Sequence, residues 1–167
     1  LGSIVAIALG GAALVKDLGR PDRFYNMLRT VKLTSPMSIG SWILTAFSAG
    51  AGVTAAAEVD RLTGERLPLG PLRGVLRFVE PVAGVEAALF APPLAAYTAV
   101  LLSDTANPTW NAAHRDLPFV FVSSASLAAS GLAMVTTPVA QTGPARALAV
   151  LGVVGDVTAM KYMESRM

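Results

Sequence analysis

The sequence predicts an all-α fold, a polytopic helical bundle crossing the bilayer about five times, on the strength of composition, charge placement and span length. Of 167 residues, 53% are hydrophobic and 14% charged, where soluble domains carry about 25% charged residues. So few charges cannot clothe a water-facing surface, and the mean hydropathy of +0.57 agrees. The charges are also segregated, because residues 1–15, 33–57, 87–103 and 117–145 contain no Asp, Glu, Lys or Arg. A helix crosses hydrocarbon in roughly 20 mostly apolar residues, so each interval is a candidate span. A helix on a soluble core would show a polar stripe at every turn, whereas these offer only Ser, Thr and Gly there.

The first span, residues 1–15, ends at Lys16-Asp17-Leu18-Gly19-Arg20-Pro21, where charge, glycine and proline together terminate a helix. The basic flank follows the apolar run instead of preceding it, which is not the order of a signal peptide. An apolar run already under way at Leu1, and a tail that stops just after a span, lead us to expect an internal fragment of a longer membrane subunit. A basic loop, 22–36, leads to Thr34-Ser35-Pro36, an N-cap pair followed by proline near the first helical position, and so to a second span over 37–57. Trp42 lies one turn in, at the level of interfacial aromatics. Ser41, Thr45, Ser48, Gly52 and Ala55 recur at spacings of three and four, predicting a small-residue face for close helix packing.

Residues 58–80 form the longest polar connection. Within it, 71–79 alternates Leu72, Val75, Leu76 and Phe78 with Arg73 and Arg77, the pattern of a short piece lying in the membrane interface. The third span, 82–103, contains Glu86 and Pro92-Pro93; a polar loop with Asn107-Pro108, Trp110 and His114 leads to the fourth, 117–137. The fifth, 143–160, carries Arg146 near one end and Asp156 near the other. No repeat or flexible linker interrupts the chain, so 1–167 reads as a single transmembrane helical domain. Counting crossings puts eight Lys and Arg (Lys16, Arg20, Arg23, Arg29, Lys32, Arg115, Lys161, Arg166) on one side and five (Arg61, Arg66, Arg73, Arg77, Arg146) on the other. The positive-inside rule leans toward the first side being cytoplasmic.

The chain has no cysteine, which excludes disulfides, thiolate zinc sites and cysteine-ligated iron–sulfur clusters within it. His114 is its only histidine, so a haem held between two histidines is excluded too, and no metal set is expected. Glu86 is the candidate catalytic carboxyl. An acid at the centre of an apolar span costs about 2.5–3.5 kcal/mol on insertion scales, so a proton-relay or quinone-linked role competes with that of an end-of-helix acid reaching the interface. Glu86, Phe90, Pro93 and Tyr97 follow i, i+4, i+7 and i+11 and share one helix face. The proline pair between them strips donors from the carbonyls of Ala88 and Leu89, either kinking the helix or opening backbone to a ligand. Asp17 and Arg20, three apart, read from spacing as a capping pair. Asp156 resembles Glu86 in logic, nearer its span's end. Ser123, Ser126 and Ser130 share a face and read as packing hydroxyls.

At Asp17-Leu18-Gly19-Arg20-Pro21-Asp22-Arg23-Phe24, Thr34-Ser35-Pro36-Met37-Ser38-Ile39-Gly40-Ser41-Trp42, Tyr97-Thr98-Ala99-Val100-Leu101-Leu102, and Pro108-Thr109-Trp110-Asn111 with Leu117-Pro118-Phe119, the chain resembles the NrfD/PsrC family, membrane subunits of polysulfide-reductase-like complexes. The resemblance implies a quinone-binding subunit of a respiratory oxidoreductase with no haem or cluster of its own, taking menaquinone or ubiquinone. Electrons would pass between quinone and an iron–sulfur partner subunit beside a molybdopterin catalytic subunit. It implies a multi-pass place in a bacterial inner or cytoplasmic membrane, with the lipid bilayer and not nucleic acid as the wider partner. It marks Tyr97 and Thr98 as quinone contacts, through a Tyr-Thr-Gly motif in which Ala99 replaces the glycine here. Asp17 and Arg20 enter the candidate binding set through the first signature. The alternatives are a proton- or cation-coupled secondary transporter using Glu86 and Asp156, and a pure membrane anchor.

Overall fold

The computed structural model describes residues 2–17, 26 and 29–166, and among them all regular structure is helical. In chain order these are α1 (Gly2–Asp17), α2 (Pro36–Leu62), α3 (Leu72–Ser103), the short α4 (Pro108–Ala112), α5 (Leu117–Thr136), a 3₁₀ turn (Val139–Gln141) and α6 (Gly143–Glu164). The chain gathers into two compact units, 1–91 and 92–167, whose boundary falls at the Pro92-Pro93 pair inside α3. Four helices, α2, α3, α5 and α6, are long and apolar enough to cross a membrane. The fifth expected span, α1, has 16 residues.

In the first unit α1 packs against α2. The start of α2 is the one its sequence announces: the Ser35 hydroxyl accepts from the Ser38 amide and Pro36 opens the helix. Ser38 also accepts from the Lys32 amide (3.1 Å) and donates to the Thr30 carbonyl (3.2 Å), tying the incoming loop to the first turn. Of the predicted small-residue face Ser41 is buried, but the closest approach falls at Gly50 and not at Gly52. Gly52 has open space around it, whereas a Cβ on Gly50 would sit 2.5 Å from the Ala83 carbonyl oxygen and 3.0 Å from the Ala87 amide of α3. Ala, Gly, Ser and Thr populate every face of α2, so spacing alone could not choose among them.

The interfacial piece expected over 71–79 is the beginning of α3 itself, which continues through Pro81 and the proline pair for 32 residues. Each proline removes one backbone hydrogen bond, but away from water no competing conformation satisfies the remaining backbone groups as well as the helix does.

In the second unit α5 and α6 pack antiparallel through small residues. A Cβ on Gly152 would lie 3.0 Å from the Leu127 amide, and one on Gly155 2.6 Å from the Ser123 hydroxyl. Ser130 is fully buried and donates to the Leu127 carbonyl at 2.7 Å, and Ser126 donates to Val122 at 2.8 Å, so the serine face packs as expected. Ala99, Ala113 and Leu117 form the unit's buried cluster, with Phe121 and Met163 against it. Burial throughout is inverted relative to a water-soluble protein. Ala99 and Ser130 are 0% exposed while Phe78 and Val135 are 83% and 86% exposed, the arrangement suited to a hydrocarbon solvent that rewards close backbone packing.

Candidate functional site

Glu86 lies in the first unit, half-buried on α3 three residues beyond the close approach at Ala83. Tyr97 lies in the second, half-buried, with Thr98 exposed beside it. The Thr98 hydroxyl donates to the Leu94 carbonyl at 3.3 Å, a bond within the helix that leaves its methyl outward. Ala99, the residue that stands for the motif's glycine, is fully buried against Ala113 and Leu117. Its methyl fills space at a helix contact, so this position serves packing. Asp17 is the last residue of α1; its side chain, and Arg20 altogether, lie outside the described residues.

The loop following Tyr97 is built by local capping. Asn107 accepts from the Thr109 amide at 3.1 Å to start α4, Asn111 reaches back to the Ser103 carbonyl at 3.5 Å, and His114 Nδ1 meets the Asn111 carbonyl at 2.7 Å. These contacts account for His114 as a loop residue. Asp156, in α6, has one carboxylate oxygen buried and without a hydrogen-bond partner among the described residues. An unpartnered acid within an apolar helix is costly, and it marks Asp156 as a second candidate beside Glu86. No group of three or more His, Cys, Asp or Glu is placed to hold a metal ion among the described residues.

A polar constellation that sequence reasoning missed sits at the end of α2. Asp60, 2% exposed, receives two bonds from one guanidinium: Arg73 Nε to Oδ2 at 2.7 Å and Nη2 to Oδ1 at 3.1 Å. Arg73 Nη2 also donates to the carbonyls of Glu65 (2.5 Å) and Leu67 (3.0 Å), so one side chain staples the 63–71 turn to both helices. Arg77 pairs with Glu65, and Arg61 bridges Glu58 (3.1 Å) and Glu80 (2.5 Å). The turn uses the left-handed region at Gly64, Glu65 and Gly70, and this geometry delivers its carbonyls to Arg73. The sequence signal was an acid just past an apolar run and two arginines at the head of the next. Asp60 and Arg73 stand thirteen positions apart across the 63–71 turn, so only the path of the turn reveals the pair.

Comparison with curated proteins and with solved structures finds no match. The family model described as polysulphide reductase, NrfD, matches residues 1–151 of the 167. That match takes in the loop before α2, the α3 motif at Tyr97, and the loop leading into α5, on helices of membrane-crossing length; the chain belongs to the NrfD polysulphide reductase family of membrane proteins.

Proposed function

We propose that this chain is a quinone-binding membrane subunit that exchanges electrons between the quinone pool and an iron–sulfur partner subunit, itself beside a molybdopterin catalytic subunit or its analogue. The observation that carries the reading is the family match across Tyr97-Thr98-Ala99, with the Tyr97 ring half-buried and Ala99 packed against Ala113 and Leu117. A quinone needs an apolar slot for ring and tail and a few donors to its carbonyl oxygens. Tyr97 supplies a flat ring and a hydroxyl about two turns from its helix end, where head group and water meet. Asp17 and Arg20, in the first signature, are assigned to the same binding function on the resemblance alone. Reduction also takes up protons, and Glu86, an acid within an apolar helix, is assigned to carry them. The site belongs to a multi-pass protein of a bacterial cytoplasmic membrane.

Quinone-linked turnover measured across pH in membranes holding the assembled complex tests this. Tyr97→Phe keeps the ring and removes the donor; loss of one hydrogen bond, about 0.5–1.5 kcal/mol, lowers turnover several-fold with insertion unchanged. Glu86→Gln slows only the proton-coupled steps and flattens their pH dependence. Parental behaviour of both variants at every pH, with unchanged binding of a quinone-site inhibitor, would place the quinone elsewhere. A second reading, ion-coupled transport, is favoured by the unpartnered oxygen of Asp156 and predicts substrate flux from the chain without any partner.

A further inference from the structure

The α5–α6 pair encloses a groove of about 540 Å³ at the end where α5 begins and α6 finishes, the size of a site for a drug-sized ligand. Its depth comes from small residues: Gly155 lets α6 approach Ser123 closely, and Ala159 continues the floor. Phe119, Val154 and Tyr162, all exposed, line it. The mouth is cationic. Arg115 is exposed, Arg166 lies 5.3 Å from the Tyr162 ring centroid, and the single acid of the lining, Asp116, is 3.6 Å from Arg166.

That 3.6 Å separation is too long for a strong hydrogen bond, so Arg166 keeps donors to offer. Arg115 and Arg166 against Asp116 leave a net charge of +1 at the mouth; Lys161 and Glu164, also on α6, cancel one another. The helix dipoles give no net pull, since the start of one helix meets the end of the other, and the attraction rests on the guanidiniums.

We infer that this groove is a site for an anionic phospholipid, with the phosphate between Arg115 and Arg166 and one acyl chain lying over Gly155 and Val154 between Phe119 and Tyr162. Level, charge and shape agree. The mouth lies where charged residues give way to the apolar stretches of both helices, the depth of phospholipid headgroups, and exposed Tyr and Arg side chains mark that depth. Basic pockets between membrane helices are suited to anionic headgroups. A quinone, being neutral, gives the two guanidiniums nothing to neutralise. The α6 wall, including Gly155, Tyr162 and Arg166, lies beyond the residues the family model matches, while Arg115 and Phe119 of the other wall lie within them.

The assembled complex, purified in mild detergent, would be titrated with phosphatidylglycerol or phosphatidylcholine and the bound lipid counted by native mass spectrometry. Parent protein retains one phosphatidylglycerol more than Arg115→Gln/Arg166→Gln, whose affinity falls roughly thirtyfold, about fivefold for each arginine lost. Thr158→Trp keeps both charges, fills the groove, and also loses the lipid; unchanged thermal melting of both variants shows that folding is intact. Equal retention of phosphatidylcholine, displacement by inorganic phosphate at matched concentration, displacement by a short-chain quinone, or retention unchanged in both variants would each overturn the assignment.

Discussion

Arg73 shows how one side chain organises a polar connection between two apolar helices. It satisfies both oxygens of a buried carboxylate and two turn carbonyls at once, which a guanidinium can do because its donors are fixed in a planar fork. Lysine has the charge and not the fork. Arg73→Lys is therefore expected to lower thermal stability and to open the 63–70 turn to protease, and Arg73→Gln to do so further because Asp60 is left buried beside a neutral group. Adding Asp60→Asn to Arg73→Gln should recover part of the loss, since removing both charges of a buried pair is less harmful than removing one. Melting of the parent, Arg73→Gln, Asp60→Asn and the double variant in detergent measures the coupling; strictly additive losses would show that the pair does not act as a unit. Asp60 stood in the sequence as an ordinary acid of a polar connection. Its importance comes from burial, and burial belongs to the turn.

Among the helices, the contacts that matter run through residues with almost no side chain. Gly50 and Gly52 are equivalent in sequence, two glycines in one apolar helix. Yet a Cβ on Gly50 would strike α3 backbone at 2.5 Å while one on Gly52 meets nothing within 4 Å. Gly50→Ala should force α2 and α3 apart and destabilise by about 1–3 kcal/mol, the usual cost of overpacking. Gly52→Ala should be neutral or slightly stabilising, as alanine is the better helix former. Equal melting temperatures for the two variants would contradict the packing of this unit. Helix ends were more legible than helix faces. Ser35-Pro36 acts as the cap its sequence predicts, because capping is decided within a few residues, and Asn107, read only as part of a polar loop, caps α4. The piece over 71–79, expected to lie apart from the 82–103 span, joins it in one helix, because nothing between them breaks the backbone hydrogen-bond ladder for more than single bonds.

Taken as a whole, the chain places large apolar side chains outward and small or hydroxylated ones inward, and its polar segments alternate with helices of crossing length. That alternation predicts opposite membrane faces for the turn after α2 and the loop holding α4. The absence of native cysteine makes the test simple, because single cysteines at Thr63 and Thr109 can be labelled with an impermeant reagent from one side of sealed vesicles. One should label from each side. Labelling of both from the same side would remove either a crossing by α3 or the assumed order of spans.

The amino-acid sequence by itself determined that the chain is helical and membrane-embedded, where α2, α5 and α6 begin, and which family it belongs to. These follow from composition, charge-free intervals and short motifs, all of which are local along the chain. Only the tertiary structure decided which glycine touches a neighbouring helix, that Asp60 is held by Arg73, and that two arginines fifty-one residues apart share the mouth of one groove. Hydrocarbon explains the division. It rewards apolar length wherever that falls in the sequence, so spans are written plainly, but it does not discriminate one apolar face from another, so which faces meet is settled by packing and by the few polar groups that must find partners.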